Sequence, residues 1–395
     1  MANNQFKQRI LFYNDAAAYG GHEAMTVQSA IQLSAYEDFE VGIMFFQDNS
    51  RMRAALLEAS LVAPRLWISP TPFASGSIQG FRSLVARQKI DFIAKEMRAF
   101  NPDVVIVAQG TIEISTMGVL AARQCRVELI SYIPNGHTVK FMKGILGGLR
   151  DSVNRRFYYS LPKRFITVSE SAKNSLVERG VSPSRIGVAY SGIDFSRYRL
   201  CDRSEARRTL SIADEDYVVG ILGRISFRDK GQDIALKMLS SHRHLFPRVK
   251  FLIVGEGPDR DRLISLTRKL RMGNSISVMP WLDDLSTIYS ALDALAIPSR
   301  LEGVPLVMLE AMYYSLPIVA TNIDGMAEFL PREWLFPSQD LNRFANTLAT
   351  IRAGVSKAVL SRNKKIVLEV FSLERFKTKL RSLVLTDSIR HHGAA

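Results

Sequence analysis

Short apolar segments alternate along the chain with longer segments whose apolar residues recur at helical spacing. In the first half the apolar segments are RILFYN, FEVGIMFF, DVVIVA, VELISYI and RFITVS. Stretches such as GHEAMTVQSAIQLSAY separate them and are long enough for crossover helices. Strands that are buried on both faces of a parallel sheet are continuously apolar. The pattern therefore predicts parallel βα units in this half of the chain.

The second half repeats the alternation with the segments YVVGILG, KFLIVG, SISVM, DALAIP and PIVAT. We therefore predict an α/β fold with two Rossmann-like, doubly wound parallel-sheet domains. The break between them is expected near residues 195–210, where RIGVAYSGIDFSRYR, a strand-like piece that runs into polar turn residues, leads into the charged helix SEARRTL. The predicted domains are residues 1–200 and 201–375, and a C-terminal helix and tail, 376–395, is expected to pack back on the first domain.

Composition agrees with a folded, two-domain protein. A chain of 395 residues is too long for one ordinary hydrophobic core, and 47% hydrophobic with 23% charged residues is typical of globular proteins. The longest apolar runs, such as YVVGIL, are much shorter than the roughly 20 residues that span a bilayer, so no transmembrane helix is expected. We interpret the N-terminus as a first strand, not a secretory signal, and expect no disulfide between Cys125 and Cys201. The expected compartment is the cytoplasm.

The net charge of +14 indicates an anionic partner, which could be nucleic acid, an acidic membrane surface or a phosphorylated substrate. The segment 137–164 is strongly basic, and Phe141, Ile145, Leu149 and Val153 recur in it at helical spacing. Such a stretch could contact anionic lipid, or it could pack its apolar side on its own domain. Nucleic acid is not expected as a partner, because basic residues alternate with aromatic ones only in RRFYYSLPKR. The basic residues of the segment are Lys140, Lys143, Arg150, Arg155, Arg156, Lys163 and Arg164.

Two glycine-containing loops follow predicted strands, where ligands bind in doubly wound sheets. Gly20 and Gly21 lie between the first strand and a helix, so this turn could bring backbone N–H groups close to an anion, or it could be a turn without a ligand. Arg224 and Lys230 lie in GILGRISFRDKGQD after the first strand of the second half. Two cations there could neutralise a diphosphate, although either alone could be an ordinary surface charge.

The segment PSRLEGVPLVMLEAM places two carboxylates around a predicted helix start. Glu302 is expected in the loop after a strand, and Glu310 one to two turns into the helix that begins near Pro305. The N–H groups at that helix start favour a phosphate, and a carboxylate can accept two hydroxyl hydrogen bonds from a ribose or a hexose. For either glutamate alone, a helix-capping or solvated residue would be the simpler interpretation.

The segment PSRLEGVPLVMLEAMYYSLPIVAT resembles the E-x7-E signature of the retaining glycosyltransferases of family 4. GRISFRDKGQD, VGEGPDRDRL, SGIDFSRYR and YGGHE are similar to other motifs of that family, and the matches are densest from residue 186 to 330. The resemblance implies the GT-B fold, in which two Rossmann-like domains face a central cleft. It also implies retaining transfer of a hexosyl group from a nucleotide-sugar donor, without a bound metal or another cofactor.

The resemblance also implies roles for individual residues. Arg224 and Lys230 would hold the donor diphosphate, Glu310 the ribose hydroxyls and Glu302 the donor sugar. His137, in SYIPNGHTVK, resembles the active-site histidine of many members, and it would act with Glu302, Arg224 and Lys230 in catalysis. The remaining donor-binding positions would be Gly20, Gly21, Leu282 near the base, and the backbone of Gly303, Val304, Pro305 and Leu306.

The chain departs from the family pattern at the end of the helix that carries Glu310. Ser315 replaces the usual Gly, and Tyr313 and Tyr314 replace small residues. The implied function is a transferase, cytoplasmic and peripheral on the inner face of the membrane, that builds a cell-envelope or exported glycan on a glycan or lipid-linked acceptor. The alternative is a non-catalytic nucleotide-sugar-binding protein with a regulatory or assembly role. The presence of all four charged residues argues against that alternative.

Overall fold

The computed structural model describes residues 7–140 and 145–385, which divide into two compact units. Unit 1 contains the chain up to Gly192 and the C-terminal segment from Glu374, and unit 2 is Ile193–Leu373. Each unit contains one sheet, and all strand pairs in both sheets are parallel. The prediction of two Rossmann-like parallel-sheet domains is therefore confirmed. Among the described helices, none is both long and apolar enough to cross a membrane.

The sheet of unit 1 has seven strands in the order β3-β2-β1-β4-β5-β6-β7. Its strands are β1 (Gln8–Asn14), β2 (Phe39–Phe46), β3 (Trp67–Thr71), β4 (Val104–Ala108), β5 (Glu128–Tyr132), β6 (Arg164–Thr167) and β7 (Ile186–Val188). The helices between them are α1 (Gly21–Ser34), α2 (Ser50–Val62), α3 (Gln79–Val85), α4 (Arg87–Phe100), α5 (Thr116–Cys125), α6 (Gly147–Val153) and α7 (Glu170–Glu178). The strand order reverses between β1 and β4, as in doubly wound folds.

The sheet of unit 2 has six strands in the order β10-β9-β8-β11-β12-β13. Its strands are β8 (Tyr217–Leu222), β9 (Val249–Val254), β10 (Ile276–Met279), β11 (Ala294–Ile297), β12 (Ile318–Thr321) and β13 (Leu335–Phe336). Its helices are α8 (Arg203–Thr209), α9 (Gln232–Ser241), α10 (Arg260–Lys269), α11 (Ser286–Ala291), α12 (Leu306–Tyr313), α13 (Asp324–Phe329), α14 (Leu341–Ala353) and α15 (Lys357–Val370). Here the order reverses between β8 and β11.

The last described helix, α16 (Leu373–Val384), lies almost entirely in unit 1. The Gln8 amide donates to the Val384 carbonyl at 3.0 Å, and Arg381 forms an ion pair with Asp38 at 2.7 Å. These contacts attach the helix to the first strand and to the turn before β2. Residues 386–395 of the expected tail lie outside the described residues.

The interpretation of 137–164 as one amphipathic stretch is only partly right. Helix α6 begins at Gly147, and Leu146 before it is left-handed at φ +55°, so Ile145 lies outside the helix. The glycines explain this late start, because glycine disfavours the helix interior. Several cations are also neutralised, since Arg150 pairs with Glu113, and Lys163 and Arg164 pair with Glu128. Phe141 and Lys143 lie outside the described residues.

Ser315 ends α12 in the conformation that glycine usually provides. Its φ is +57°, its N–H donates to the Met312 carbonyl at 3.1 Å, and the Leu316 N–H donates to the Ala311 carbonyl at 2.9 Å. This bonding is the Schellman pattern, in which a left-handed residue lets two N–H groups satisfy the last carbonyls of the helix. A side chain is strained in that region of backbone space.

We expect Ser315→Gly to stabilise the protein by about 1 kcal/mol, because glycine relieves the left-handed strain and leaves the two capping hydrogen bonds intact. Urea unfolding of the variant and the wild type would measure the difference. Ser241→Gly is the matched control with the opposite sign, since Ser241 is the last residue of α9 and glycine there should destabilise. Destabilisation by Ser315→Gly would contradict the strain.

Candidate active site

The charged residues singled out in the second half of the sequence come together where the strand order of unit 2 reverses. Arg224 and Lys230 lie in the loop after β8, and Glu302 lies in the loop after β11. Because β8 and β11 are parallel neighbours, both loops leave the same edge of the sheet. In doubly wound sheets, ligands bind at this edge and at this reversal.

Lys230 and Glu302 form a partly buried ion pair at the centre of this site. The Lys230 Nζ donates to Glu302 Oε1 at 2.6 Å, and the Ser299 hydroxyl donates to the same oxygen at 2.7 Å. The Glu302 side chain is only 8% exposed. These two hydrogen bonds offset the cost of burying the carboxylate. Both bonds use Oε1, so the second oxygen, Oε2, is the one that a ligand hydroxyl could approach.

Arg224 is paired with an acid that was not singled out from the sequence. Its Nη2 donates to Asp229 Oδ2 at 2.9 Å, and the Ser226 hydroxyl donates to the same oxygen at 3.2 Å. The Arg224 side chain is about half exposed, so its guanidinium can still reach solvent. An incoming diphosphate would therefore share or replace a partner that Arg224 already has.

Backbone contacts join the two loops closely. The Asp229 carbonyl accepts from the Arg300 N–H at 2.7 Å, and the Arg300 guanidinium makes two bonds to Asp233 at 2.8 and 3.0 Å. Burial raises the pKa of Asp233, but the bonds from Arg300 and Lys237 outweigh it and lower that pKa overall. Gly231, at φ +66°, packs so tightly that a Cβ there would lie 2.1 Å from the Pro298 carbonyl oxygen. These contacts fix the spacing between the cations and Glu302.

The glycines of GEGP, in the motif VGEGPDRDRL, support the same loop. A Cβ on Gly255 would lie 1.9 Å from the Gly223 carbonyl oxygen, and one on Gly257 would lie 2.2 Å from that of Ile225. Asp259, in the same motif, accepts from the Phe227 backbone N–H at 2.8 Å. These residues therefore have a structural role in supporting the loop that carries Arg224.

The backbone from Gly303 to Leu306 leads directly into α12. Pro305 caps the helix, and the Met308 N–H donates to its carbonyl at 3.0 Å. The N–H groups of Leu306 and Val307 lie at the helix start, a position that favours an anion. The Gly325 N–H donates to the Gly303 carbonyl at 2.9 Å, and a Cβ on Gly325 would lie 2.6 Å from that oxygen. Gly325 thus holds the Gly303–Val304 peptide just before the start of α12 by a contact that only glycine permits.

Glu310, the fifth residue of α12, is held by two phenols. Tyr198 donates its hydroxyl to Oε1 at 2.9 Å, and Tyr289 of α11 donates to Oε2. Burial raises the pKa of Glu310, and the two phenol bonds oppose this shift. Leu282 is half-buried in the loop after β10 that leads into α11, the helix that carries Tyr289.

The predicted site residues of unit 1 lie at the carboxyl edge of its own sheet. Gly20 caps α1 and Gly21 is its first residue, but the Gly20 N–H already donates to Glu23 Oε2 at 2.9 Å. A carboxylate therefore occupies part of the expected anion position. His137 is half-buried in the loop after β5, and its backbone N–H donates to Asn135 Oδ1 at 2.9 Å.

Two further residues at this edge were not identified from the sequence. Asp15, after β1, is fully buried and accepts from the hydroxyls of Ser75 at 2.6 Å and Ser115 at 3.0 Å. Burial raises the pKa of Asp15, and these bonds oppose the shift. His22 packs against the Tyr132 ring at 5.4 Å, and burial lowers the pKa of its imidazole. The position of His22 directly after Gly20-Gly21, at the start of the helix that follows β1, was the available signal.

Comparison with known proteins gives the family. The profile described as Glycosyl transferases group 1 matches residues 202–353, and the profile described as Glycosyltransferase Family 4 matches residues 19–197. The D-inositol 3-phosphate glycosyltransferase of Mycobacterium marinum is 30% identical over 169 residues, which are 41% of this chain and 35% of that protein. The same-named protein of Rhodococcus opacus is 32% identical over 174 residues, 41% of this chain and 39% of that protein. These alignments span less than two fifths of the curated relatives.

Solved structures share the fold over nearly the whole chain. Anabaena HepE, solved in complex with UDP, has a TM-score of 0.76 at 20% identity and covers 95% of this chain and 99% of its own. Sucrose-phosphate synthase from Thermosynechococcus elongatus has a TM-score of 0.77 at 17% identity, with 98% and 100% covered. The fold is therefore GT-B. Since the two profiles follow the sequence from residue 19 to residue 353 with one short gap, the chain belongs to the group 1, family 4 glycosyltransferases.

Proposed function

We propose that this glycosyltransferase uses a nucleotide-sugar donor and transfers the hexosyl group with retention and without a metal. The observation that carries the proposal is the Lys230–Glu302 pair, at 2.6 Å, beside the start of α12 and the Arg224 loop. When the bond between the anomeric carbon and the diphosphate breaks, its electron pair goes to the diphosphate. The two cations and the N–H groups of the helix stabilise that charge, which is the usual source of most transition-state stabilisation.

The carboxylates bind the neutral parts of the donor in this proposal. Glu302 takes a sugar hydroxyl on Oε2, and Glu310 takes the ribose hydroxyls, while Leu282 lies near the base. For His137, Gly20 and Gly21 of unit 1, the roles that the family resemblance implies stay predictions. UDP is the first nucleotide to test, because Anabaena HepE has been solved with UDP and with UDP-glucose.

A thermal-shift screen over nucleoside diphosphates and their sugars tests the donor site. We expect UDP or UDP-glucose to raise the melting temperature of the wild type, since a ligand that binds only the folded state stabilises it. Glu310→Ala should abolish most of that rise. The proposal fails if none of these compounds stabilises the wild type, or if the variant responds equally. Binding without release of UDP from any sugar nucleotide would instead support the non-catalytic alternative.

We further propose that unit 1 docks on an anionic membrane, where a lipid-linked glycan acceptor of envelope or exported polysaccharide synthesis would be found. Ile145, Leu146 and Leu149 are 79%, 63% and 57% exposed around the start of α6. Lys140, Arg155 and Arg156 are also exposed in the segment 137–164. Apolar side chains flanked by basic ones fit an anionic lipid surface, at about 1 kcal/mol per cation.

We expect the protein to sediment with phosphatidylglycerol vesicles at low salt, and much less with phosphatidylcholine vesicles, because the attraction is largely electrostatic. The double variant Leu146→Ser and Leu149→Ser should lower the bound fraction severalfold, because it removes the apolar contact. Leu245→Ser is the matched control, as Leu245 is an exposed leucine of unit 2. Equal binding by all variants, or no binding by the wild type, would contradict the docking surface.

A further inference from the structure

The two phenols on Glu310 leave the carboxylate with a specific remaining capacity. Tyr198 occupies one acceptor position on Oε1 at 2.9 Å, and Tyr289 occupies one on Oε2. A carboxylate has about four acceptor positions, two on each oxygen. One position therefore remains on each oxygen, which matches a pair of adjacent hydroxyl groups.

The phenols also favour the ionised form of Glu310, which burial disfavours. Burial raises the pKa of Glu310, while the bonds from Tyr289 and Tyr198 lower it. A protonated carboxyl would donate one hydrogen bond, so it could no longer accept from two hydroxyls. Burial also raises the pKa values of Tyr198 and Tyr289. The ring of Tyr314 stacks on that of Tyr289, with the ring centroids 5.0 Å apart. The titratable groups around Glu310 are thus neutral phenols that can donate.

An aromatic cluster holds the two phenols in place. Besides the stacking of Tyr289 on Tyr314, the rings of Tyr198 and Tyr314 meet edge to face, with their centroids 6.2 Å apart. The Tyr314 hydroxyl donates to the Arg199 carbonyl at 2.8 Å, which ties the cluster to the segment that carries Tyr198. Tyr313 stacks on Phe195 at 4.9 Å, and the Lys364 ammonium of α15 lies 4.8 Å from its ring centre. Turning either phenol away from Glu310 would break these ring contacts.

We propose that Tyr198 and Tyr289 are positioning residues that hold Glu310 as a paired acceptor for the adjacent 2′- and 3′-hydroxyls of the donor ribose. The inference rests on the proposed nucleotide-sugar function and deepens it. It also gives Tyr313 and Tyr314 a purpose, since the smaller residues usual at these positions could not stack on Phe195 and Tyr289. Selectivity for ribose over deoxyribose thus depends on residues outside the E-x7-E segment.

The test compares the affinity of the full chain for UDP and for 2′,3′-dideoxy-UDP by calorimetry. The wild type should prefer UDP by roughly ten- to a hundredfold, as expected for hydrogen bonds to a charged group. Tyr198→Phe and Tyr289→Phe should each lower this ratio severalfold. Tyr158→Phe is the matched control, because it removes a buried phenol that donates to the Gly80 carbonyl in unit 1, at 2.6 Å. A purely structural role would weaken both nucleotides equally and leave the ratio unchanged.

The pH dependence of the affinity ratio between UDP and 2′,3′-dideoxy-UDP is a second readout. Both nucleotides carry the same diphosphate, so its titration cancels in the ratio. The preference for UDP should be lost as the pH falls through the pKa of Glu310, because the protonated carboxyl accepts fewer hydrogen bonds. In the two phenylalanine variants the loss should begin at a higher pH, since the bonds that favour the charged form are gone. An unchanged ratio and pH profile in both variants overturns the inference alone. Failure of the wild type to bind UDP or any other nucleoside diphosphate overturns it together with the proposed donor site.

Discussion

Lys230→Ala is expected to lower the turnover of the donor by on the order of 10²- to 10³-fold, the usual effect of removing one group that stabilises a developing charge. Two effects add at this position. The diphosphate loses a cation, and Glu302, only 8% exposed, loses the ammonium 2.6 Å from its Oε1. The remaining carboxylate charge would then repel the leaving group that Lys230 is proposed to stabilise.

The rate of UDP release from the sugar nucleotide that the wild type uses would measure this effect. Lys237→Ala is the matched control, because Lys237 lies on the helix that follows the same loop, is more than half exposed and pairs with Asp233 at 3.0 Å. It should change the rate by less than about twofold, as surface ion pairs contribute little. A Lys230→Ala rate within threefold of the wild type would show that the ammonium is not part of the charge stabilisation.

Most strands could be predicted from the sequence because each is a continuous apolar run. The strands β3 and β13 were missed for physical reasons. In β3, Pro70 cannot donate to a sheet, and the strand is tolerated only because it lies at the edge, where Pro70 stands opposite Phe45. The strand β13 has two residues, too few for any period. Phe141, Ile145, Leu149 and Val153 were interpreted as one helix face because helical spacing alone does not show where a helix begins. The helix α6 begins only at Gly147.

The charged residues of the candidate site could be identified from the sequence, but their partners could not. Arg224, Lys230 and Glu302 are predicted because charges in loops after strands point to ligands, and Glu310 because it follows in the helix that Glu302 precedes. Their partners depend on strand order, since Lys230 and Glu302 are 72 positions apart and Tyr198 and Glu310 are 112 apart. No local pattern carries such contacts. The partner of Arg224, Asp229, lies only five positions away and could have been predicted from the sequence.

Gly231→Ala is expected to destabilise the protein by about 2–4 kcal/mol, a large effect for a single methyl group. The left-handed φ of +66° accounts for about 1 kcal/mol of this. The larger part is steric, because the new Cβ would lie 2.1 Å from the Pro298 carbonyl oxygen, which is backbone and cannot rotate away. Urea unfolding would measure the loss of stability, and calorimetry with UDP would measure the effect on the donor site.

Relief of that contact must move the loop after β8 away from the loop after β11. The hydrogen bond from the Arg300 N–H to the Asp229 carbonyl, at 2.7 Å, would lengthen, and the Lys230–Glu302 pair would open. Affinity for UDP should therefore fall together with stability. Gly180→Ala separates backbone strain from the steric contact. Gly180 also has a left-handed φ, +87°. A Cβ there would meet no heavy atom of the described residues within 4 Å, its chain neighbours aside. Equal destabilisation by the two variants would mean that backbone strain alone is responsible, and that the close approach of the two loops does not require glycine at position 231.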